Sequence, residues 1–158
     1  MRQLLCVALL CCVVSWGSAQ KASSPPCCRD TVTACATMRQ KDRVGFKNRC
    51  NTEADFRLIQ CCSTCEDFSD QPIRPYDTAA LALANAECFD RESPATCAKY
   101  VAGTGAYAKA PWLCDGPYAA VAFRICRLSC GYCTKGANVA SVTYTLDAAR
   151  TSSCTIGK

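Results

Sequence analysis

Residues 123–133 read FRICRLSCGYC, which places three cysteines within eight positions and ends in Cys-Gly-Tyr-Cys. A second CxxC stretch, CSTC, covers residues 62–65. Two such pairs suit three kinds of chemistry: a zinc site, a redox-active dithiol, or structural disulfide bonds. The choice depends on whether the thiols are reduced, and therefore on the compartment in which the protein folds.

The first 19 residues predict a secretory signal peptide. Arg2 supplies a positive start, residues 4–14 form an apolar run, and residues 17–19 supply small side chains at a cleavage site. The run is too short to span a membrane as a helix, which needs roughly 20 residues. We therefore expect a secreted, extracellular protein that begins near Gln20 and has no transmembrane segment.

Cysteine content and charge narrow the class further. Three of the 17 cysteines lie in the predicted signal peptide, so 14 remain in 139 residues. A cysteine fraction of about 10% in an oxidising compartment is typical of a disulfide scaffold. Without Arg2, 17 basic and 13 acidic side chains give a net charge of +4, too mild to predict nucleic-acid binding. The sequence has no histidine, the commonest general base, so we expect no enzyme, no cofactor and no metal.

The cysteine spacing repeats along the chain. Residues 28–65 read C-x6-C-x14-C-x10-CC-x2-C, and residues 88–133 read C-x8-C-x16-C-x11-C-x3-C-x2-C when the terminal CxxC ends are superimposed. Each copy also opens with C-x-D, which contributes Asp30 and Asp90. Repetition at this length predicts two small stapled modules, module one at 27–65 and module two at 88–133.

The segments outside the modules predict little regular structure. The linker, residues 66–87, contains an alanine-rich stretch at 79–86 that predicts one short helix. In the tail, residues 134–158, apolar side chains alternate over 142–146, which predicts a short strand. The expected fold class is small and disulfide-rich, with short helices and loops and little sheet.

Helix signals place the CxxC of module two after a helix. Pro117 suits a first helical turn, an apolar stripe follows over residues 118–126, and Gly131 suits the residue after the helix end. A redox dithiol needs its CxxC at a helix N-terminus, where the dipole favours the thiolate. A zinc ribbon needs pairs about 15 to 20 residues apart, whereas 64 residues separate Cys65 from Cys130. Structural disulfides are therefore our interpretation.

Three further helix boundaries are predicted. The Ser-Pro pair at 93–94 suits the start of a helix that stops by Gly103. Residues 52–55 form a capping-box-like start in module one. A helix through Cys35 is expected to stop near Gly45.

The residues CFDRESPATC at 88–97, Cys114 and CRLSCGYC at 126–133 resemble an ShKT domain. This six-cysteine module is named for a sea-anemone potassium-channel toxin and is common in secreted nematode proteins. Module one is similar, with C-x-D and a terminal CxxC, but Cys61 and Cys62 adjoin instead of standing four apart. The resemblance covers about 84 residues.

The resemblance implies a disulfide pairing, because the family joins its first cysteine to the sixth, its second to the fourth and its third to the fifth. For module two this implies Cys88–Cys133, Cys97–Cys126 and Cys114–Cys130. For module one it implies, by analogy, Cys28–Cys65, Cys35–Cys61 and Cys50–Cys62. In that alignment Leu58 stands where a fourth cysteine is expected, because residues four apart share a helix face. Cys27 is left for Cys154, which would tie the tail to module one, and an intermolecular bridge through Cys154 is the alternative.

Family function would depend on surface residues. Channel-blocking members use a Lys-Tyr pair before the fourth cysteine, and the corresponding positions here hold Ala120 with Val121, and Asp55 with Phe56. Neither module retains the pair. We expect the two C-x-D aspartates to be structural, with that of module two able to pair with Arg124 or Arg127.

Two loops are candidate partner-binding surfaces. The loop between Cys35 and Cys50 is basic and suits an acidic partner, although an ordinary solvated loop is the favoured interpretation. Its basic residues are Arg39, Lys41, Arg43, Lys47 and Arg49. The long loop of module two is aromatic and suits recognition of a protein or glycan, or packing on the rest of the chain. Its aromatic residues are Tyr100, Tyr107 and Trp112.

The sequence therefore predicts a secreted, non-enzymatic, disulfide-stapled binding or extracellular-matrix protein whose partner is an extracellular protein or glycan. The first alternative is a toxin-like or immunomodulatory ligand of potassium channels. The second is an accessory module that works with a separate secreted enzyme.

Overall fold

The computed structural model describes residues 21–68, 73–104, 112–136, 141–151 and 154. The α-helices are α1 (Cys35–Lys41), α2 (Arg43–Thr52), α3 (Cys62–Glu66), α4 (Tyr76–Ala86), α5 (Pro94–Ala102), α6 (Ala119–Ile125) and α7 (Leu146–Thr151). A π-helix at Phe56–Gln60 and a 3₁₀-helix at Gly116–Tyr118 precede the closing segments of the two modules. These described residues contain no strand, and none of their helices is long and apolar enough to cross a membrane. The predicted fold class is confirmed.

Seven disulfide bonds join the fourteen cysteines of the described residues. They are Cys27–Cys154, Cys28–Cys62, Cys35–Cys61, Cys50–Cys65, Cys88–Cys133, Cys97–Cys126 and Cys114–Cys130. The three bonds of module two match the pairing that the resemblance implies, and Cys154 bonds within the chain. In module one, two implied pairs are wrong, because Cys28 bonds to Cys62 and Cys50 bonds to Cys65.

The two pairs differ because the modules align in another register than the CxxC ends suggest. Equivalent backbone contacts establish that register. Asp30 forms a single antiparallel bridge with Cys61, and Asp90 forms the same bridge with Cys126. The backbone dihedrals also agree, with φ −133° and ψ 37° at Cys61, and φ −130° and ψ 40° at Cys126. Cys61 is therefore the equivalent of Cys126, and the prediction that a fourth cysteine is missing at Leu58 is wrong.

In this register CCSTCEDF at 61–68 lies over CRLSCGYC at 126–133. Cys62 takes the position of Arg127, and Phe68 takes the position of Cys133. The bond from the first cysteine of module one thus ends six positions earlier than its counterpart in module two. Phe68 is buried and stacks on Phe46, with ring centroids 6.0 Å apart, so an aromatic contact replaces the sixth cysteine.

Several helix predictions are confirmed. The Ser93 hydroxyl caps α5 by accepting a hydrogen bond from Thr96 N, and α5 ends before Gly103. The alanine-rich linker forms α4, which buries Ala79, Ala80, Leu83 and Ala84.

Other helix predictions are wrong. Thr52 ends α2 instead of capping a new helix, and its hydroxyl donates to the Asn48 carbonyl. Gly45 lies inside α2, because Asp42 accepts a hydrogen bond from Gly45 N and so starts a second helix directly after α1. In α6 the buried face includes Phe123, while Val121 is 48% exposed, so the stripe is rotated from the predicted one.

The main core crosses the predicted module boundaries. It joins Leu58 and Ile59 of module one to α4, to the buried face of module two and to the tail. A smaller core lies in module one and the start of the linker, and contains Phe46, Phe56 and Phe68 among the bridging cysteines. The two repeats therefore share the main hydrophobic core, and module one has a second, smaller core of its own.

The N-terminal segment and the tail complete this shared core. Ala22 N donates to the Cys130 carbonyl, and Cys28 N donates to the Ala149 carbonyl of α7. Val142 and Tyr144 are buried, and the Tyr144 hydroxyl donates to the Tyr132 carbonyl. The predicted strand over 142–146 is wrong, because these side chains alternate to fill the core without a partner strand among the described residues.

Candidate functional site

The cysteine sulfurs are structural. Every cysteine of the described residues is bonded to another, including both members of each CxxC stretch. In both modules the bonded cysteines lie in a short segment that we call the closing turn and that begins at Cys61 and at Cys126, after a helical segment; in module one its residues form α3. Across the part of the chain that is described, no group of three or more Cys, Asp or Glu side chains is placed to hold a metal ion.

The two C-x-D aspartates hold the closing turns. The Asp30 carboxylate accepts hydrogen bonds from the backbone N and the hydroxyl of Thr64. Asp90 does the same with Ser129, which is the equivalent residue. The expected pairing of Asp90 with Arg124 or Arg127 is wrong, since both arginines pair with Asp55 and the Asp90 carboxylate accepts from Ser129. Both aspartates organise backbone, as a structural role requires.

Arg127, at the closing turn of module two, pairs with a carboxylate of module one instead. The Arg127 side chain is 1% exposed, and its Nη2 lies 2.5 Å from Asp55 Oδ1. Its other donors reach the carbonyls of Glu87 and Phe123 at 3.1 and 3.3 Å. Arg91 Nη1 lies 2.6 Å from the second Asp55 oxygen. Burial lowers the pKa of Arg127, and the Asp55 charge opposes that shift.

Asp55 therefore joins the two repeats. The capping-box interpretation of residues 52–55 did not predict this contact. No sequence signal identifies Arg127 as its partner, because 72 positions separate them. The equivalence of Arg127 with Cys62 explains the arrangement. The position that carries a disulfide in module one carries a buried cation in module two, and that cation takes its carboxylate from module one.

The positions that correspond to the channel-blocking pair lie at this junction. Asp55 is engaged by Arg127, and Phe56 is buried with the Arg49 guanidinium 3.8 Å from its ring centroid. Ala120 and Val121 of module two line a shallow cleft between the repeats, of about 410 Å³. The other lining residues are Thr31, Ile59, Arg124 and Ile125.

The aromatic loop of module two is not an open recognition surface where it is described. Tyr100 is 5% exposed and stacks on Trp112, with ring centroids 5.2 Å apart. Burial raises the pKa of the Tyr100 hydroxyl. Trp112 packs against the core, and Tyr107 lies outside the described residues. The alternative that these aromatic rings pack on the protein holds for Tyr100 and Trp112.

The basic residues of module one lie on two helices instead of a loop. Their five side chains define a surface that we call the basic face: Arg39, Lys41, Arg43, Lys47 and Arg49. Residues 39–49 contain one acidic side chain, Asp42, so the face has a net charge of +4. The remainder of the chain after residue 19 carries 12 basic and 12 acidic side chains. The basic face therefore accounts for the whole net charge.

Two aromatic rings fix arginines within the basic face. The guanidinium carbons of Arg39 and Arg43 lie 5.8 and 5.9 Å from the Phe68 ring centroid. Arg39 Nη1 also donates to the Asp67 carbonyl at 3.4 Å. Arg49 pairs with Glu53 at 3.0 Å. The phenylalanine that replaces the sixth cysteine thus orients two arginines of this surface.

A second cleft, of about 380 Å³, lies on the basic face. Charged and apolar side chains both line it; the lining residues are Met38, Lys41, Asp42, Gly45, Phe46, Asn48 and Arg49. Arg39, Arg43 and Lys47 are not among its lining residues, so positive charge lies both in the cleft and beside it.

Comparison with known proteins adds no assignment. No protein-family model, no curated protein and no solved structure matches the chain. The basic face is the surface on which a functional argument can be built, because it combines concentrated charge, fixed side chains and a cleft.

Proposed function

We propose that the chain is a secreted, non-enzymatic binding protein of the extracellular space or matrix, built on two ShKT-like stapled modules. The observation that carries the proposal is the basic face, which concentrates the whole net charge on α1 and α2. Exposed charge of one sign attracts partners of the other sign and accelerates their association.

The disulfide framework supports a binding role because it holds this face at both ends. Cys35 is the first residue of α1 and bonds to Cys61, and Cys50 lies in the last turn of α2 and bonds to Cys65. A surface fixed before binding loses less conformational entropy when a partner binds. The stapled helix pair is therefore a preorganised contact surface.

The non-enzymatic part rests on how the acidic groups are used. Asp30 and Asp90 organise backbone turns, and Asp55 neutralises Arg127 at the module junction. General acid–base chemistry needs a titratable group within reach of a substrate. These carboxylates are instead turned toward protein donors. The ShKT resemblance is supported by the module-two bonds and by the matched Asp30 and Asp90 contacts.

Two alternatives stay predictions: block of potassium channels, and a role as an accessory module that works with a separate secreted enzyme. The four positions that correspond to the channel-blocking pairs hold Asp55, Phe56, Ala120 and Val121. No lysine or tyrosine stands there, and the two positions of module one are engaged at the junction or buried. No specific feature favours the accessory role.

The test is surface plasmon resonance of the full, oxidised chain over immobilised extracellular proteins and glycans. We expect saturable binding to at least one class, weakened by salt. An absence of binding to every extracellular protein and glycan presented would refute the proposed function. Disulfide mapping of the injected protein serves as the control for correct folding.

A further inference from the structure

We propose that the basic face binds a sulfated glycan chain; this inference rests on the proposed function and names the partner of its contact surface. The first support is the charge itself. Five basic residues on α1 and α2 are exposed or half-buried; Asp42 lies among them in sequence, and Arg49 pairs with Glu53. Asp42 is partly engaged, because its side chain accepts from Gly45 N.

The chemistry of the side chains favours an oxyanion ligand. Arginine guanidinium groups present paired donors that match oxygen anions bidentately. The guanidinium carbons of Arg39 and Arg43 both lie beside the Phe68 ring, 5.8 and 5.9 Å from its centroid. Lys47 follows Arg43 by one helical turn, about 6 Å along α2. A row of cations at this spacing suits a ligand that carries repeated anionic groups.

The cleft supplies the second line of contacts. Its lining combines the cations Lys41 and Arg49 with the apolar Met38 and Phe46, and it also includes Asp42, whose carboxylate accepts from Gly45 N. A sugar ring offers both hydroxyls and apolar CH faces, which such mixed walls accommodate. The cleft and the Arg39, Arg43 and Lys47 row lie on the same helix pair, so a linear chain can contact both.

Other anionic partners fit the surface less well. An interfacial membrane helix presents a wide apolar face, whereas Phe46 and Cys50 of α2 are buried and Val44, at 80% exposed, is its exposed large apolar residue. Binding of an unpaired nucleic-acid strand relies on exposed aromatic rings, and Phe46, Phe56 and Phe68 are buried. For the same reason the face lacks an aromatic anchor of the kind that dominates peptide interfaces.

The experiment measures binding of the full, oxidised chain to heparin oligosaccharides. Desulfated heparin is the probe with the same backbone and lower charge, and hyaluronan is an unsulfated glycan with a different backbone. The test variant removes three cations from the face: K41Q, R43Q and K47Q. The matched control removes three exposed cations elsewhere: R29Q, K99Q and K135Q. Disulfide mapping and the unfolding midpoint establish that each variant folds. A third variant, K41R with R43K and K47R, keeps the charge.

We expect heparin binding that desulfation abolishes. The test variant should bind roughly 10- to 100-fold more weakly, from about one ionic contact per removed cation. The slope of log Kd against log salt should become shallower by about 2, at roughly 0.7 per contact as for single-stranded polyanions. The control triple should change affinity less than about threefold, and the charge-retaining triple should keep most of the affinity.

Several outcomes would overturn the inference. They are equal losses in the test and control triples, binding that ignores sulfation, and binding confined to phosphatidylserine vesicles or acidic peptides. Binding of a matrix protein without heparin binding would overturn this inference while leaving the proposed function standing. If the test triple fails to fold, the charge-retaining triple and the single variant K41Q are used in its place. A K41Q affinity for heparin equal to that of the parent chain would count against the inference.

Discussion

Replacing Asp55 by asparagine tests whether the repeats form one unit. The change keeps the shape of the side chain but removes the carboxylate that faces Arg127 and Arg91. Separating a fully buried ion pair typically costs about 3–5 kcal/mol. Asp55 is 18% exposed and Arg127 keeps two backbone carbonyl acceptors, so we expect a smaller loss, about 2 kcal/mol.

The control is Glu53→Gln, which removes one negative charge from the same module. Glu53 pairs with Arg49 as an i,i+4 contact with both side chains more than a third exposed, and such pairs contribute about 0.3–0.5 kcal/mol. Guanidinium unfolding of the oxidised variants, followed by fluorescence of Trp112, measures both losses. A loss in D55N no larger than that in E53Q would show that the junction contributes nothing to stability.

Three further predictions concern glycines with positive φ, one disulfide bond and buried tyrosines. Gly131→Ala should lose more unfolding free energy than Gly116→Ala. Both have positive φ, which costs an alanine about 1–2 kcal/mol, but only at Gly131 would a Cβ meet side chains within 3 Å. Replacing Cys27 and Cys154 by serine should cost about 3–5 kcal/mol, because this bridge closes the longest loop; an unchanged midpoint in guanidinium would contradict it. In an alkaline titration at 295 nm, three buried tyrosines should not ionise near pH 10. Burial raises the pKa of these tyrosines in the folded state above the value in the unfolded state. Their neutral hydroxyls therefore contribute to the free energy of unfolding below pH 10, and this contribution is lost as the pH rises above 10. Ionisation near pH 10 would refute their burial. They are Tyr76, Tyr132 and Tyr144.

Local signals in the sequence predicted local structure well. The Ser-Pro pair at 93–94 combines a capping hydroxyl with a residue suited to the first turn, and it starts α5 as expected. The alanine-rich linker forms α4 because small apolar side chains let a helix pack closely. The bonds of module two follow the implied pairing because its cysteine pattern is regular.

The pairing of module one was not recoverable from the CxxC overlay. The overlay of terminal CxxC stretches places Cys65 over Cys133, whereas the observed register places Cys65 over Cys130, so the overlay is shifted by three positions. A usable signal was present: four positions separate Cys61 from Cys65 as they separate Cys126 from Cys130. In that register Thr64 and Ser129, both hydroxyl residues, coincide, and both bind the C-x-D aspartate of their module.

The long-range features had no local signal. Asp55 and Arg127 meet only because the repeats share a core, and aromatic composition alone could not tell whether Tyr100 is exposed. The basic residues were identified from composition, but their placement on two helices depends on Asp42, which ends α1 and caps α2. Charge was therefore predictable, and its geometry was not.

The most direct test of the account is disulfide mapping of the oxidised chain by partial reduction and tandem mass spectrometry. The central structural claim is that module one keeps the closing turn of the repeat, while its first cysteine, Cys28, bonds to Cys62 instead of to a cysteine at position 68. The account predicts Cys28–Cys62 together with Cys50–Cys65. Finding Cys28–Cys65 together with Cys50–Cys62 would contradict the register, the place of Phe68 and the geometry of the basic face that depends on it.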